Sequence, residues 1–462
     1  MSTESPDERS MTHQENTGGA RLHYEQELSR SLGVAELLAY GLVEISPLAA
    51  GAVFGVIFNV SHGMVPLVYA VGLVAMLFTA LSYATMVEVF PAAGSVYTYA
   101  NQTLGQTVGF LTGWAILLDY VLVPVMAYVV SAIAIEAVLP GMPRPLSVIV
   151  LVTVVTAINY LGIKTTARAS LVLLATQFAI VLAFVVLAIH GVMHHVDGAK
   201  FSLAPFFNPG EFRPAIIFGG ISLAMSSFLG FDGVSTLSEE SKDGPTAVGT
   251  AILLSLLVTA FLFILQAWLA SLFLPGRTHL PAGDATDAAF YYIAQSVGGY
   301  GFKLTLILAG QILAVIAAVV TAQAAAARVI FGMARDRKLP HALAHIDPVR
   351  KVPVRSTLLV AAITLVLALS LVDRLALVVS IVAFGALVSF VSLQASVICH
   401  FARNAPRRKY WRHVAVPAIG IVIIGYVLWT ADRNAKIIGA SWLIVGLILH
   451  LVGRLVRRPR PG

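Results

Sequence analysis

Long apolar stretches alternate with short polar segments from about residue 33 to residue 455. A helix needs about 20 apolar residues to cross the hydrocarbon core of a bilayer. The stretches that meet or approach this length are residues 33–58, 64–90, 107–139, 145–161, 168–192, 214–240, 246–274, 302–334, 355–372, 375–402, 413–430 and 435–455. The pattern therefore predicts an all-α membrane protein with twelve transmembrane helices in one domain. A polar tail over residues 1–32 precedes the spans, and a basic tail over 456–462 follows them.

Composition excludes a water-soluble fold. Hydrophobic residues make up 58% of the chain, charged residues only 11%, and the mean hydropathy is +0.86. Soluble domains carry about 25% charged residues. The polar start has no apolar core behind basic residues, so we expect no cleavable signal peptide. Nucleophile elbows, zinc-protease helices and phosphate-binding loops are absent from the sequence, which argues against an enzyme and against direct coupling to ATP.

The distribution of basic residues predicts the orientation. Most of the 30 Lys and Arg residues lie in the tails and in the loops after even-numbered spans, which places both termini in the cytoplasm. Topology and anionic lipid also explain the net charge of +7, so we expect no nucleic-acid partner. The densest group is expected to form a solvated cytoplasmic face; it consists of Arg328, Arg335, Arg337, Lys338, Arg350, Lys351 and Arg355.

Two spans carry helix-breaking residues near their centres. Irregular backbone is tolerated inside a membrane only where it is buried in protein or lines a water-filled cavity. The candidate residues in span one are Ser46, Pro47, Ala50, Gly51 and Ala52, and those in span six are Phe228, Leu229, Gly230 and Phe231. A single interruption is ordinarily a packing kink, but two interruptions at matching positions favour a binding site. They also predict a five-plus-five inverted repeat of about 33–192 and 214–402, with 413–455 as two extra spans.

Broken helices offer partners for both charges of an amino acid. Free N–H groups at a helix start attract a carboxylate, and free carbonyl oxygens attract an ammonium group or a cation. The same positions would also suit a biogenic amine. The breaks are therefore predicted to hold the substrate.

Glu44, Asp119, Asp232 and the pair Glu239–Glu240 lie inside the predicted spans, where each ionised group would cost about 2.5–3.5 kcal/mol at mid-depth. Asp232 follows the break in span six, so it is a candidate for binding an ammonium group, carrying a proton or gating; structural pairing is the alternative. Glu44 would face the same cavity or seal it on the cytoplasmic side. Asp119, beside the binding candidate Tyr120, is the third candidate. We expect the pair Glu239–Glu240 to be solvated or to cap a loop, with a gate as the alternative.

Three motifs resemble the amino acid-polyamine-organocation family, from about residue 30 to residue 455. They are Phe90-Pro91-Ala92-Ala93-Gly94-Ser95-Val96-Tyr97-Thr98-Tyr99, Gly230-Phe231-Asp232 with Glu239-Glu240, and Met333-Ala334-Arg335-Asp336 through Leu339-Pro340. Gly113-Trp114, Leu118-Asp119-Tyr120 and the segment 228–232 also look like the bacterial putrescine importers of that family. The resemblance implies the five-plus-five inverted-repeat fold.

The resemblance also implies roles for individual residues. The segment 50–54 would cradle a substrate carboxylate, the carbonyls of 228–231 would receive the amine, and Asp232 would gate. This chain departs from the putrescine-importer pattern at Ala52, where that pattern has an acid nearby. It also has Gln177 where some family members carry a lysine, and glutamine cannot carry a proton.

The sequence thus predicts a secondary transporter of the bacterial cytoplasmic membrane that imports an amino acid or a biogenic amine by alternating access. Its expected partners are this substrate, protons and the lipid membrane, with no cofactor and no metal; the oligomeric state is open. A dedicated putrescine importer is the alternative within transport, and a channel or membrane sensor is the alternative outside it.

Overall fold

The computed structural model describes residues 28–138, 141–161, 163–282, 284–310, 314–371, 375–403, 409–430 and 433–456. Within these ranges the chain is predominantly helical and forms no β-strand. Most of the predicted N-terminal tail, up to residue 27, and the basic tail beyond residue 456 lie outside the described residues.

The helices follow the apolar stretches of the sequence. They are α1 (Val34–Ile45), α2 (Ala49–Val60), α3 (Val65–Val89), α4 (Ser95–Thr103), α5 (Gln106–Val138), α6 (Arg144–Tyr160), α7 (Ile163–Met193), α8 (Pro214–Ser227), α9 (Pro245–Ser271), α10 (Asp284–Asp287), α11 (Ala289–Leu308), α12 (Ala314–Arg335), α13 (Val354–Ser370), α14 (Leu375–Arg403), α15 (Val416–Thr430) and α16 (Arg433–Val456). In the described part of the chain, eight spans are long and apolar enough to cross a membrane, or nine if α1 and α2 form one bent span. Three further apolar helices are shorter and correspond to α6, α13 and the middle of α16.

The eighth predicted span differs from the others. Helix α11 begins at Ala289, thirteen residues before the predicted start, and turns at Gly299, whose φ of 76° lies in the left-handed region. Helix α12 then begins at Ala314. The predicted span 302–334 thus includes the last part of α11 and most of α12, and residues 311–313 between them lie outside the described residues.

Two groups of helices meet at the centre of the bundle. Helix α3 packs against α8, α9 and α15, whereas α5 packs against α4, α6, α12 and α14. The side chain of Leu229, at the predicted break of span six, contacts the apolar clusters of both groups. The break therefore lies where the two groups join.

A pair of tryptophans joins the last helix, α16, to α5. Trp114 donates its indole N–H to the carbonyl of Trp442 at 2.9 Å, and Trp442 donates to the carbonyl of Trp114 at 2.8 Å. The two rings stack with centroids 4.4 Å apart. Because lipid is as apolar as a leucine side chain, such packing and interhelical hydrogen bonds are what hold membrane helices together.

We expect Trp442→Ala to destabilise the bundle by about 1–2 kcal/mol, because it removes the stacking and one interhelical hydrogen bond. Reversible unfolding in mixed micelles measures this change. Trp429→Ala is the matched control, since that side chain on α15 is 81% exposed. Equal effects of the two substitutions would contradict an anchoring role for the stacked pair.

Candidate functional site

The first span is broken at Ser46. Helix α1 ends at Ile45, Ser46 has a φ of 66°, and α2 begins at Ala49 at an angle of 44° to α1. Pro47 has no N–H, so it cannot donate to the carbonyl four residues before it. Polar side chains of other helices supply partners instead: Gln266 donates to the carbonyl of Pro47 at 3.0 Å, and Ser46 donates to the amide oxygen of Gln177 at 3.0 Å.

The start of α2 presents backbone N–H groups. Ala49 donates to the carbonyl of Ser46, and Gly51 donates to that of Leu48. No described group accepts the N–H of Ala50. Ala50 and Gly51 are buried, with the ring of Phe290 against Gly51, whereas Ala52 is exposed. The arrangement suits a carboxylate or another anion.

The sixth span is broken at Gly230. Helix α8 ends at Ser227, and a 3₁₀ helix runs from Phe231 to Leu237. Gly230 has a φ of 115°, which residues with a side chain rarely adopt. Among the described groups, none donates a hydrogen bond to the carbonyl oxygens of Phe228 and Leu229. These oxygens are suitable acceptors for an ammonium group.

Glu44 joins the two breaks. A Cβ atom placed on Gly233 would lie 2.0 Å from Oε2 of Glu44, and one placed on Gly230 would lie 2.8 Å from its Cγ. The carboxyl group of span one therefore occupies space that only glycines in span six leave open. Its Oε2 atom has no hydrogen-bond partner among the described groups.

Asp232 accepts hydrogen bonds from two tyrosines. Tyr120 on α5 donates to its Oδ2 atom at 2.6 Å, and Tyr83 on α3 donates to the same atom at 3.5 Å. The second oxygen, Oδ1, is buried and has no partner in the described structure. Tyr120, predicted as a binding residue, thus holds the candidate acid from the opposite group of helices.

The three candidate acids converge. Glu44, Asp119 and Asp232 are at most 7% exposed. Glu44 lies against Gly230 and Gly233 on either side of Asp232, and Asp119 directly precedes Tyr120, which donates to Asp232. Each has one carboxyl oxygen without a hydrogen-bond partner among the described groups. Three unneutralised carboxylates in a low-dielectric interior would be costly. Their arrangement is therefore suited to cationic groups or protons.

Glu239 and Glu240 are buried in ion pairs, so the expectation of a solvated pair is wrong, whereas Glu239 does cap a loop. Glu239 forms two hydrogen bonds with the guanidinium of Arg335, at 2.7 and 3.1 Å, and accepts the N–H of Ala93 at 2.8 Å. Glu240 accepts a bond of 2.5 Å from Nε of Arg328. Both arginines lie on α12, which ends at Arg335, and not in the loop that follows it. Their side chains contact the acids of span six. The expected solvated face is therefore wrong for these two residues.

The same end of the molecule is tied to the start of the described chain. The N–H groups of Ser31 and Leu32 donate to the carbonyl of Glu240, and Lys242 donates its N–H to the carbonyl of Leu32. The motif at residues 90–99 also contacts this part of span six, since the hydroxyls of Ser95 and Ser235 form a hydrogen bond. Every residue from 230 to 241 is buried. The C-terminal end of span six is thus enclosed by protein.

Sequence reasoning missed Tyr83, Gln266 and the pairing of Arg328 among the residues that support the site. Each lies in a helix whose pattern indicates only membrane burial. A polar side chain in an apolar helix is itself a signal, because a polar group inside a membrane must find a partner. The identity of that partner is a long-range property that hydropathy does not contain.

Comparisons with known proteins are consistent with this geometry. Residues 51–449 match the family model described as amino acid permease. The chain is 31% identical to the low-affinity putrescine importer PlaP of Escherichia coli strain K12, over 94% of this chain and 96% of the relative. It is 26% identical to the branched-chain amino acid permease BcaP of Bacillus subtilis strain 168, over 93% and 94% of the two chains. It is also 26% identical to a methylthioribose transporter of the same strain, over 81% and 82%.

We expect Glu240→Gln to destabilise the protein by about 3–5 kcal/mol, because it leaves the buried guanidinium of Arg328 without its counter-charge. The double variant Glu240→Gln/Arg328→Met should recover much of this loss, since it removes both charges. Reversible unfolding in mixed micelles gives the complete double-mutant cycle.

The control for this cycle is Glu88→Gln. Glu88 pairs with Arg412 at 3.3 Å, and both side chains are 41% exposed. An exposed pair of this kind contributes about 1 kcal/mol or less. If Glu240→Gln lowers the free energy of unfolding no more than Glu88→Gln does, the ion pair of Glu240 with Arg328 contributes no more than an exposed pair.

Proposed function

The chain belongs to the amino acid permease family, and we propose that it is a secondary transporter for a small substrate that carries an ammonium group. The substrate would bind between the two helix breaks. The observation that carries this proposal is the convergence of Glu44, Asp119 and Asp232, each with a free carboxyl oxygen, beside the unbonded carbonyls of span six.

The site offers partners for amino acids and for amines. The start of α2, with the N–H of Ala50, would receive a carboxylate, and the carbonyls of Phe228 and Leu229 would receive the amine. Ser46, Pro47, Gly51, Ala52, Gly230 and Phe231 shape this space as backbone and small side chains. The excess of acids over bases favours a substrate with a net positive charge. A dedicated diamine importer is therefore the second candidate. In that case Glu44 would supply the carboxylate that the putrescine-importer pattern has near the position of Ala52.

The transport cycle we propose is alternating access in a twelve-span bundle. Spans one to five and six to ten would form the inverted repeat, with 413–455 as extra spans and both termini in the cytoplasm. The ion pairs of Glu239 with Arg335 and of Glu240 with Arg328 would close the cytoplasmic side. Opening this side requires these pairs to separate while other contacts hold the site closed on the opposite face.

We further propose that transport is coupled to protons carried by one of the three acids. A single ammonium group neutralises one carboxylate and leaves two close together. A proton on a second carboxyl group would reduce their repulsion. Gln177 lies at the break but is not ionisable, so the proton would reside on Asp232, Glu44 or Asp119.

Asp232→Asn is expected to reduce saturable substrate uptake into proteoliposomes at least tenfold, because a charge-assisted contact of about 1.5–3 kcal/mol is lost. Tyr120→Phe should cause a smaller loss, since it removes only the hydrogen bond that orients this carboxylate. Asp197→Asn, in an exposed turn far along the chain from the site, is the matched control. Non-saturating flux would indicate a channel, and unchanged uptake by Asp232→Asn would remove Asp232 from the mechanism.

A ligand panel separates the two substrate classes. Putrescine, arginine and leucine are added singly to the purified protein, and the shift in Tm reports binding because a ligand of the folded state stabilises it. If the substrate is a diamine, Glu44→Gln should abolish the shift by putrescine while any shift by leucine persists. A Tm shift with leucine and none with putrescine or arginine would contradict a substrate that carries a net positive charge.

Proton coupling predicts that uptake rises when the outside of the proteoliposomes is more acidic than the inside. A proton ionophore should collapse this stimulation without abolishing exchange at equal pH. Uptake that is indifferent to both treatments would show that protons do not drive it. The control is the membrane potential, which is clamped with potassium and valinomycin so that charge movement alone cannot mimic coupling.

A further inference from the structure

The loop between α12 and α13 contains a cleft that is remote in sequence from both helix breaks. Its volume is about 520 Å³. The lining side chains are of two kinds, basic and apolar, and no acid is among them: they are His341, Ala342, Ala344, His345, Ile346, Pro348, Lys351 and Arg355. A concave surface with convergent cationic groups is chemically suited to an anion.

The cleft is held in shape by the loop itself. Asp347 donates its N–H to the carbonyl of Val352 at 3.0 Å, and Lys351 donates its N–H back to the carbonyl of Asp347 at 2.9 Å. Ser356 donates its hydroxyl to the carbonyl of Leu343 at 2.8 Å. The basic side chains are therefore presented by an internally bonded loop, which lowers the entropy cost of binding.

The neighbouring acid is already engaged. The N–H groups of Arg350 and Val349 donate to Oδ1 of Asp347 at 2.7 and 2.9 Å. The hydrogen bond from Arg350 is the main reason that the pKa of Asp347 lies below its ordinary value. The Arg350 guanidinium lies 3.6 Å from Oδ2 of the same carboxylate. Asp347 is thus largely balanced within its own turn, and the charges of Lys351 and Arg355 are left to the cleft.

The position of the loop indicates a membrane surface. The guanidinium of Arg350 lies over the ring of Tyr160, at the end of α6, with 4.4 Å to the ring centroid. Val349, at the tip of the loop, is 85% exposed, and Pro348 beside it is also exposed. Aromatic and basic residues at helix ends mark the interface between hydrocarbon and water. An exposed apolar tip beside a basic cleft fits the acyl chain and the headgroup of one lipid.

We propose that this cleft binds the phosphate group of an anionic phospholipid, with Lys351 and Arg355 as the main cationic contacts and Val349 against the acyl region. This site is separate from the transport site and does not depend on which substrate is carried. Lys351 and Arg355 are exposed, as their sequence context predicts, and the cleft would give them a common ligand.

The test uses the full-length protein in nanodiscs of phosphatidylcholine, into which phosphatidylglycerol is titrated. We expect phosphatidylglycerol to raise Tm in a saturable way, because a lipid bound to the folded state stabilises it. The variant Lys351→Gln/Arg355→Gln should need about tenfold more phosphatidylglycerol for the same shift. Lys351→Gln alone should have part of this effect; it guards against disruption of the loop, since Arg355 also donates to the carbonyl of Ala342.

Lys409→Gln/Arg433→Gln is the control, because it removes the same charge from exposed positions outside the cleft. A titration unchanged by the cleft variants, or weakened equally by the control, would overturn the proposal. Inorganic phosphate is added in a parallel experiment in phosphatidylcholine alone. If it stabilises the protein and phosphatidylglycerol does not, the ligand is a soluble anion and the lipid assignment is wrong.

Discussion

Backbone polar groups inside a membrane must have partners, and this requirement governs the centre of the molecule. Two helices end near mid-span, so their freed groups need hydrogen bonds from elsewhere in the fold. Gln266 supplies one to Pro47, and Gln177 pairs with the hydroxyl of Ser46 at the same break. Among the described backbone groups at the breaks, the N–H of Ala50 and the carbonyls of Phe228 and Leu229 remain without a partner.

Span six contains buried acids in two different environments. Glu239 and Glu240, at its C-terminal end, form ion pairs with Arg335 and Arg328 of α12. Asp232, seven residues earlier, is oriented by tyrosine hydroxyls, which donate hydrogen bonds without supplying a positive charge. The first two acids have their counter-charge within the protein. Asp232 and its neighbours Glu44 and Asp119 would need it from a ligand or a proton.

Sequence reasoning located the breaks but not the neighbours that complete the site. Pro47 and Gly230 predict the local conformation from the sequence, because their effects on the backbone are intrinsic to the residue type. The meeting of Glu44 with Gly233 depends on how spans one and six cross, which no local pattern encodes. Arg328 was placed at a solvated face because its neighbours along the chain are basic, whereas its orientation is set by the face of α12 on which it lies. The start of α11 at Ala289 likewise precedes the turn at Gly299 and lies before the apolar run that begins at residue 302, so hydropathy did not extend the span to it.

The hydrogen bonds between residues 31–32 and 240–242 join the first residues of the described chain to the base of span six. The bonded groups are backbone N–H and carbonyl groups outside the helices, whereas the side chain of Leu32 is 3% exposed and packs in the main apolar cluster. A chain that begins after Gly33 would lose these hydrogen bonds together with the buried side chains of Leu28 and Leu32. The segment before the first helix is therefore part of the packed core, although hydropathy places it outside every predicted span.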